Sequence, residues 1–405
     1  MRLSTDTNRL HVALMLRSVG PGLLLLVVAC STPESPANSE GDNPAVTYPQ
    51  YDRVLQLETT AETSANVSVG DVNGDGHLDF VLAKGRHWPL VDRVLLGDGR
   101  GKILTSYDLS DTPDRSYSGR LVDLDLDGDL DVVISNDAPD PKLVYLNDGK
   151  GSFRLGPTFG RAEWDTRNAS VADVNGDGQP DIIVANRSPP ERAASYVCLN
   201  RGRGSFDENC LPFSRASATT ITPADFNRDG RIDLAVPHRD RGQSYVHLNA
   251  GNATFPDDRR VAFGPPDARV RMAEAADLDS DGLLDIVVID EGRGVAACFG
   301  QKDGTFSPMV EIAGSKVTPY ALATADLNGD GFSDVVVGHV EAPSTIYFND
   351  GSGRRYTPIA FGDASGAVYG FAIADLDKDG RLDIAAARSD ATNVVYFAGP
   401  RVSRE

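Results

Sequence analysis

Residues 71–79 read Asp-Val-Asn-Gly-Asp-Gly-His-Leu-Asp, and this acidic nonapeptide, D-x-[DN]-x-D-G-x-x-D, occurs seven times in the 405-residue chain. The intervals between successive copies are 52, 50, 52, 52, 49 and 49 residues. Such a regular period is typical of arrays in which every repeat is one small structural unit. The copies begin at Asp71, Asp123, Asp173, Asp225, Asp277, Asp326 and Asp375. The spacing therefore predicts a repeat architecture along most of the chain.

The nonapeptide carries the oxygen ligands of a hard divalent cation. Positions 1, 3, 5 and 9 supply side-chain oxygens, position 7 supplies its backbone carbonyl, and Gly at position 6 permits a sharp turn. In the first copy these residues are Asp71, Asn73, Asp75, His77 and Asp79, with His77 acting through its carbonyl. The corresponding sets in the other copies are Asp123, Asp125, Asp127, Asp129, Asp131; Asp173, Asn175, Asp177, Gln179, Asp181; Asp225, Asn227, Asp229, Arg231, Asp233; Asp277, Asp279, Asp281, Leu283, Asp285; Asp326, Asn328, Asp330, Phe332, Asp334; and Asp375, Asp377, Asp379, Arg381, Asp383.

These loops predict up to seven structural Ca²⁺ ions. Three or four carboxylates packed into one loop without a counterion repel one another. The alternatives are Asp/Gly-rich turns without metal and Mg²⁺, which prefers octahedral sites rich in water. An EF-hand shares the first ligands but needs a bidentate Glu at position 12. Position 12 is apolar in every copy: Leu82, Ile134, Val184, Val236, Val288, Val337 and Ala386.

Each repeat contains four strand-like segments. In the second repeat they cover residues 120–124, 132–134, 143–146 and a fourth that begins at Phe153. The stretch 147–151, Asn-Asp-Gly-Lys-Gly, is a hairpin signal between the third and fourth segments. Four antiparallel strands about every 50 residues describe a propeller blade. The sequence thus predicts an all-β, seven-bladed β-propeller of four-stranded antiparallel blades.

The seventh repeat is too short to complete its own blade. Only 22 residues follow Asp383, which is room for two further strands but not for a third. Residues 51–58 alternate apolar and polar side chains ahead of the first blade. We expect this N-terminal strand to close the seventh blade and so remove an open sheet edge.

On these motifs the sequence resembles the FG-GAP/VCBS repeat family, and similar propellers form the head of integrin α subunits. The resemblance covers about residues 51–400. It implies Ca²⁺ in the hairpin loops between the first two strands of a blade. The chain departs from integrins in carrying the motif in all seven blades and in mostly lacking the literal Phe-Gly and Gly-Ala-Pro words. The integrin function is not carried over, because one scaffold hosts unrelated activities.

The N-terminus reads as an export signal. Val27-Val28-Ala29-Cys30 follows an apolar run and resembles the lipobox of a bacterial lipoprotein, which implies lipidation of Cys30. Residues 1–29 are the predicted signal peptide, residues 30–50 a Pro/Ser-rich disordered tether and residues 51–400 the propeller. A plain secretory signal or a buried apolar segment are the alternatives, and Met15 is an alternative start. The predicted location is the bacterial cell envelope, at the outer membrane or cell surface, anchored by lipid.

Charge and cysteine content bound the partners and the compartment. The formal net charge of -20 argues against nucleic acid and against anionic membrane surfaces, so the lipid would be the only membrane contact. Seven Ca²⁺ would bring that charge to about -6. Cys198 and Cys210 flank a predicted hairpin turn and are placed to form a disulfide, whereas Cys298 is expected to be a small buried hydrophobe.

The face opposite the calcium loops is where the repeats diverge. Two sets of residues are expected there, one lying five residues after the last Asp of each motif and one lying six residues before the first. The candidate ligand-binding residues, which include Trp88 from a long loop, are Lys84, Trp88, Tyr117, Arg167, His238, Arg271, Asp290, Tyr320, His339, Tyr369 and Arg388. Such a mixture of aromatic and charged groups suits sugars or an acidic peptide. The alternative is that these residues are strand ends that meet solvent.

No catalytic motif is complete in the chain. It lacks a G-x-S-x-G elbow, an H-E-x-x-H pair and a phosphate-binding glycine loop. The sequence therefore predicts a monomeric, non-catalytic binding or adhesion module for carbohydrate or protein. The alternative is a polysaccharide lyase or hydrolase on the same face, with a carboxylate pair drawn from Asp290, Glu291, Glu341 and Asp390.

Overall fold

The computed structural model describes residues 47–187, 194–206 and 209–403. The described chain begins with β1 (Thr47–Pro49) and β2 (Arg53–Gln56) and continues into blades of four antiparallel strands. Blades 1 and 2 contain β3 (Ser64–Gly70), β4 (Asp79–Lys84), β5 (Arg93–Gly97) and β6 (Ile103–Asp108), then β7 (Ser116–Val122), β8 (Asp131–Asn136), β9 (Lys142–Asn147) and β10 (Phe153–Phe159).

Blades 3 to 6 repeat this plan. Blades 3 and 4 contain β11 (Thr166–Ala172), β12 (Asp181–Asn186), β13 (Ser195–Cys198) and β14 (Leu211–Ser214), then β15 (Thr222–Ala224), β16 (Asp233–Val236), β17 (Ser244–His247) and β18 (Arg260–Phe263). Blades 5 and 6 contain β19 (Val270–Ala276), β20 (Asp285–Asp290), β21 (Gly294–Cys298) and β22 (Val310–Ala313), then β23 (Pro319–Ala325), β24 (Asp334–His339), β25 (Ser344–Asn349) and β26 (Tyr356–Phe361). A short 3-10 helix, Asp257–Arg259, precedes β18.

Blade 7 is assembled from both ends of the chain. It contains β27 (Ala367–Ala374), β28 (Asp383–Ser389) and β29 (Val394–Phe397), and β2 is its outermost strand. In this pairing Arg53 lies opposite Phe397 and Gln56 opposite Val394. A second pair joins β1 to β30 (Arg401–Ser403). The seven-bladed propeller and its closure by the N-terminal strand are thereby confirmed.

The hydrophobic core lies between neighbouring blades. The second strand of a blade is sandwiched by the blades on either side, so both of its faces are buried and its sequence is almost continuously apolar. All six residues of β8, Asp131–Asn136, are buried in this way. Phe80 and Leu82 of blade 1 pack with Ala385 and Ala387 of blade 7, which completes the ring of interfaces.

The three cysteines among the described residues are arranged as the sequence predicts. Cys198 and Cys210 form a disulfide across a separation of 12 residues, and Cys298 is free and buried. The lipobox, Cys30 and most of the predicted tether lie outside the described residues. The last part of the predicted tether, residues 30–50, includes Thr47–Pro49, which form β1 in the structure. Within the described part of the chain, no helix has the length and apolar character needed to cross a membrane.

Candidate functional site

The acidic loops connect the first and second strands of every blade, and each is folded by hydrogen bonds to its own carboxylates. In the first loop the amide of Gly76 donates to Asp71 at 2.7 Å and the amide of His77 donates to Asp75 at 2.8 Å. Gly76 has a φ of 81°, a backbone conformation that a Cβ disfavours. The same two bonds recur in all seven loops. The predicted ligands at positions 1 and 5 are therefore each fixed to the loop backbone in every blade.

The aspartate at position 9, which is predicted to be a cation ligand, also has a structural role. Asp79 is fully buried, and its two oxygens accept from the amides of Val72 at 3.0 Å and Gly97 at 2.8 Å. It thus joins the loop to the end of the third strand. Burial raises the pKa of Asp79 to about 6 despite these bonds, and the position-9 aspartates of the other blades are affected in the same direction.

Position 3 divides the seven loops into two groups. Four loops have Asn there, and its Nδ2 donates to the position-5 carboxylate at 2.8–3.0 Å. The other three have Asp125, Asp279 and Asp377, which have no side-chain N–H to donate. An amide therefore holds the position-5 carboxylate in the first group, whereas in the second an additional negative charge faces it.

The three loops of the second group have carboxylate oxygens with no partner. Oδ1 of Asp125, Asp277, Asp279 and Asp377 is buried and accepts no hydrogen bond. These loops also hold three groups of carboxylates whose oxygens lie within 4.8 Å of one another: Asp123, Asp125 and Asp127; Asp277, Asp279 and Asp285; and Asp375, Asp377 and Asp383. Buried like charges at this separation are unfavourable without a cation. The oxygen-only donor sets and the unpartnered atoms fit a hard metal ion, so these three clusters are able to bind metal.

Arginines also reach some of the loops. Arg231 and Arg381 at position 7 pair with the position-5 carboxylates Asp229 and Asp379. Arg53 of β2 pairs with Asp377 in the seventh loop. These guanidinium groups neutralise part of the charge that a metal ion would otherwise balance.

An asparagine that the sequence marked only as a hairpin residue links neighbouring blades. Nδ2 of Asn249 donates to the carbonyl of Val174 in the loop of blade 3, at 2.7 Å, and to Ile232 in its own loop, at 3.0 Å. Asn147, Asn200 and Asn349 make the equivalent pairs of bonds. The signal available in the sequence is an Asn 15 to 19 residues after the last motif Asp, but it does not identify the partner in the neighbouring blade.

A pocket lies where the first strands of the blades begin, at the end of these strands away from the acidic loops. We call it the mouth pocket; its volume is about 160 Å³, and Tyr117, Arg167, Arg271, Tyr320 and Tyr369 are among its lining residues. Each of these five lies six residues before the first Asp of its motif, so the strand separates it from the acidic loop by about 20 Å. Ala65 and Thr219, at the same offset, complete the set of seven on the pocket wall. The structure thus brings together all seven residues of this predicted ring.

The other predicted ring is not at the mouth. Lys84, Asp290, His339 and Arg388 are buried, and His238 is half-buried. Lys84 pairs with Glu58 and Glu62, Asp290 with Arg293, and Arg388 with Asp363. Nδ1 of His339 lies 2.8 Å from the carbonyl oxygen of Pro343. Side chains alternate between faces along a strand, so a shift of one residue moves a side chain from the mouth into the packing between blades.

Some arginines that lie one or two residues after members of this second ring do line the mouth pocket. Arg86, Arg187 and Arg239 line it from the loops after the second strands, together with His87. Sequence reasoning missed Arg239 as a pocket residue, although counting six rather than five residues from the last motif Asp would have found it. Trp88, the remaining predicted residue, is 67% exposed beside His87 and is not part of the pocket wall.

A protein-family model for the FG-GAP-like repeat matches this chain six times, at residues 71–134, 123–184, 173–236, 225–288, 277–337 and 326–386. Each match begins at one acidic loop and ends in the strand that follows the acidic loop of the next blade. Together the six matches cover most of the propeller. The chain belongs to the FG-GAP-like repeat family. A comparison with curated proteins finds no match for this FG-GAP-like chain.

Solved structures share the FG-GAP-like propeller fold at low identity. BBS1N, crystallised in complex with ARL6DN, aligns with a TM-score of 0.59 at 13% identity, over 88% of this chain and 99% of its own. A lectin from Agrocybe aegerita that recognises non-reducing terminal N-acetylglucosamine aligns with a TM-score of 0.54 at 20% identity, over 82% of this chain and 87% of its own. Rhamnogalacturonan lyase YesW aligns with a TM-score of 0.51 at 13% identity, over 86% of this chain and 76% of its own. At these identities the likeness concerns the fold.

Electrostatics of the FG-GAP-like mouth pocket are dominated by guanidinium groups. Arg271 is 5% exposed, its Nε donates to the carbonyl of Tyr320 at 3.1 Å, and its guanidinium carbon lies 3.3 Å from the Tyr320 ring centroid. Burial, reinforced by the charge of Arg239, lowers the pKa of Arg271 to about 10, so it remains charged at neutral pH. Burial and the charges of Arg86 and Arg167 lower the pKa of His87, which favours its neutral form.

Proposed function

We propose that this protein is an exported, lipid-anchored, calcium-binding propeller that binds carbohydrate at the mouth pocket without catalysis. One observation carries the proposal: the first strands of the blades begin around a single pocket whose wall holds buried polar atoms that make no hydrogen bond. These atoms are Nε of Arg86, Nη1 of Arg271 and the hydroxyls of Thr219 and Thr220. Buried polar groups are normally hydrogen-bonded, so their position in a pocket indicates a polar ligand.

Carbohydrate is favoured over protein for two reasons. Hydroxyl and amide groups from Thr219, Thr220, Tyr117 and Asn168 surround the pocket and can donate to or accept from sugar hydroxyls. A pocket of about 160 Å³ is also small for a protein surface, which typically buries about 800 Å² per partner. The lectin among the similar structures supports a sugar ligand by analogy of fold.

Calcium has a structural role in this proposal. The seven loops lie about 20 Å from the mouth pocket, since six strand residues separate them. Each bound ion would neutralise its carboxylates and hold a hairpin, and binding to the native state alone adds stability by mass action. Up to seven Ca²⁺ are proposed, with the loops of blades 2, 5 and 7 as the sites most in need of a cation.

Screening of a glycan array in Ca²⁺ and in EGTA, with melting curves recorded under both conditions, tests the proposal. We expect sugar binding in Ca²⁺ and a melting temperature that falls markedly in EGTA. An unchanged melt from micromolar to millimolar Ca²⁺ would refute the structural metal. Fatty-acid labelling of the full chain and of Cys30→Ser tests the anchor, and labelling that survives the substitution would refute lipidation at Cys30.

A polysaccharide lyase is the second candidate, and Tyr320 is the observation that favours it. Burial raises its pKa, but the neighbouring Arg271 charge and the hydrogen bond from Tyr369 outweigh burial and leave the pKa below its usual value. A tyrosine of lowered pKa in a pocket is a suitable general base. A hydrolase has less support, because two of its candidate carboxylates already form ion pairs: Asp290 with Arg293 and Glu291 with Arg239. Ultraviolet absorbance of an unsaturated sugar product distinguishes turnover from binding.

A further inference from the structure

The mouth pocket is strongly cationic. Five arginines line it, Arg86, Arg167, Arg187, Arg239 and Arg271, and among the described lining residues none is Asp or Glu. Within the described residues, three carboxylates pair with these arginines from outside the wall: Asp137 with Arg167, Asp240 with Arg187, and Glu291 with Arg239. In this part of the chain five positive charges therefore face three negative ones, and the positive charges are the ones on the pocket surface.

Aromatic rings also hold several of these guanidinium groups. The guanidinium carbon of Arg86 lies 3.8 Å from the Tyr369 ring centroid, and that of Arg167 lies 4.6 Å from the Tyr117 centroid. Arg271 is held on Tyr320 in the same way. A cation-π contact positions a guanidinium group without cancelling its charge or using its N–H donors. It also covers the ring face, so these tyrosines offer little free surface for stacking a neutral sugar.

Two of these arginines have a donor nitrogen that makes no hydrogen bond. Nη1 of Arg271 and Nε of Arg86 are buried without a hydrogen bond. Arg271 Nη1 forms a long ion pair with Glu291, at 3.5 Å, and Arg86 forms no ion pair within the described residues. A guanidinium N–H satisfies its hydrogen bond best with an anionic oxygen, and such charge-assisted bonds are stronger than neutral ones. The hydroxyls of Thr219 and Thr220 add neutral donors beside them.

We propose that the mouth pocket binds an acidic sugar residue through its carboxylate or sulfate group, with Arg86 and Arg271 as the principal donors and the threonine hydroxyls directed to sugar oxygens. This inference rests on the proposed carbohydrate-binding function and names the chemical class of the sugar. The volume of about 160 Å³ limits the anchored portion to one sugar residue. The rest of an acidic glycan would extend over the loop that carries the exposed Trp88.

Isothermal titration of the full mature protein in saturating Ca²⁺ provides the test. The probes are an oligogalacturonate, the same oligomer with its carboxyl groups reduced to alcohols, a sulfated oligomer of a neutral sugar, and poly-glutamate. Arg86→Gln is the principal variant, because Arg86 is half-buried and no carboxylate among the described residues would be left behind without its partner. Arg260→Gln is the matched control: Arg260 also lies over a tyrosine, Tyr245 at 4.4 Å, but does not line the pocket.

We expect the uronate or the sulfated oligomer, but not the reduced one, to bind, with an affinity that decreases as salt increases. Arg86→Gln should weaken that binding on the order of tenfold or more, because one charge-assisted bond is lost. Arg260→Gln should bind as the wild type does. Arg271→Lys, which keeps the charge but loses the planar fork, should also weaken binding, with melting curves to confirm that it folds.

Three outcomes overturn the inference, and they separate it from the function it rests on. Equal binding of the reduced and acidic oligomers refutes an anion site but leaves carbohydrate binding intact. Acidic-sugar binding that Arg86→Gln and Arg271→Lys leave unchanged places the ligand elsewhere. Binding of poly-glutamate with no sugar bound refutes both this inference and the proposed function.

Discussion

At position 3 of each acidic loop, the choice between Asn and Asp decides whether the loop can satisfy its own carboxylates. Asn175 donates to Asp177 at 2.9 Å, whereas Asp125 has a buried oxygen with no partner and faces Asp127. Burial and the charge of Asp127 raise the pKa of Asp125. The loops with Asp at position 3 are thus less stable alone and should gain more from a cation.

A reciprocal pair of variants tests this difference. Asp125→Asn should raise stability in EGTA by about 1 kcal/mol, because an amide replaces a repelled carboxylate, and should reduce the gain that Ca²⁺ brings. Asn175→Asp should do the opposite in blade 3. Urea unfolding in EGTA and in saturating Ca²⁺ measures both effects. If the two variants change stability in the same direction, position 3 does not have this role.

His247 should make stability depend on pH. It is 2% exposed beside Phe213 and Tyr245, and burial, with the charge of Arg260, lowers its pKa from 6.5 to about 4. Because the folded-state pKa is depressed, the unfolded chain takes up a proton between about pH 6.5 and 4 that the folded chain does not. The stability contributed by neutral His247 is therefore complete above pH 6.5 and is lost as the pH falls through this range.

His247→Tyr should remove that loss. Tyrosine occupies the same sheet position in blades 2, 6 and 7, where Tyr145, Tyr347 and Tyr396 pair with the residue after the last motif Asp. Between pH 7 and 4 the wild type should lose about 3 kcal/mol more than the variant. Urea unfolding at several pH values gives the difference, in which the shared acidic groups cancel. Parallel pH profiles would contradict the assignment.

At the scale of elements, the hairpin after the third strand fastens each blade to its neighbour where an Asn is present. Asn249 is fully buried and joins the loops of blades 3 and 4 through its two donated bonds. Sequence alone identified the turn but not the bond to Val174, because the partner lies 75 residues earlier in the chain. The two are adjacent only because consecutive blades stack.

Removing this link should destabilise the propeller. Asn249→Ala leaves the buried carbonyl of Val174 and the partly buried carbonyl of Ile232 without this donor, which should lower the free energy of unfolding by about 1–3 kcal/mol. Asn252→Gly is the control, since Asn252 is exposed in the same turn and already has a φ of 51°. It should change stability by less than about 0.5 kcal/mol. Equal losses in the two variants, measured by urea unfolding, would argue against the link.

At the scale of the whole molecule, ring closure depends on the N-terminal strand. Tyr51 and Leu57 are 4% and 6% exposed, and the Tyr51 hydroxyl donates to the carbonyl of Leu382 at 3.1 Å. Without β2 the seventh blade would present β29 as an unpaired edge, which favours association with another chain.

Deletion of residues 1–57 should therefore lower the free energy of unfolding by at least about 4 kcal/mol, from the lost burial of two large side chains. It should also cause oligomerisation, whereas deletion of residues 1–46 should leave the fold intact. Melting curves and light scattering compare the two truncations, and a peptide of residues 47–58 added in trans should restore part of the loss. Identical melts for the two truncations would show that closure does not stabilise the ring.

The sequence by itself determined the repeat number, the four-stranded blade, the acidic loops and the closing strand. These features depend on patterns that can be read along the chain: the order of residues within the acidic nonapeptide, the alternation of apolar side chains and the repeat period of about 50 residues. The disulfide could also be anticipated, because Cys198 and Cys210 flank one turn. Only the tertiary structure decided which polar side chains meet. Arg239 lines the mouth pocket whereas its half-buried neighbour His238 does not, because the pocket is assembled from the loops of several blades and exists only after the ring has closed.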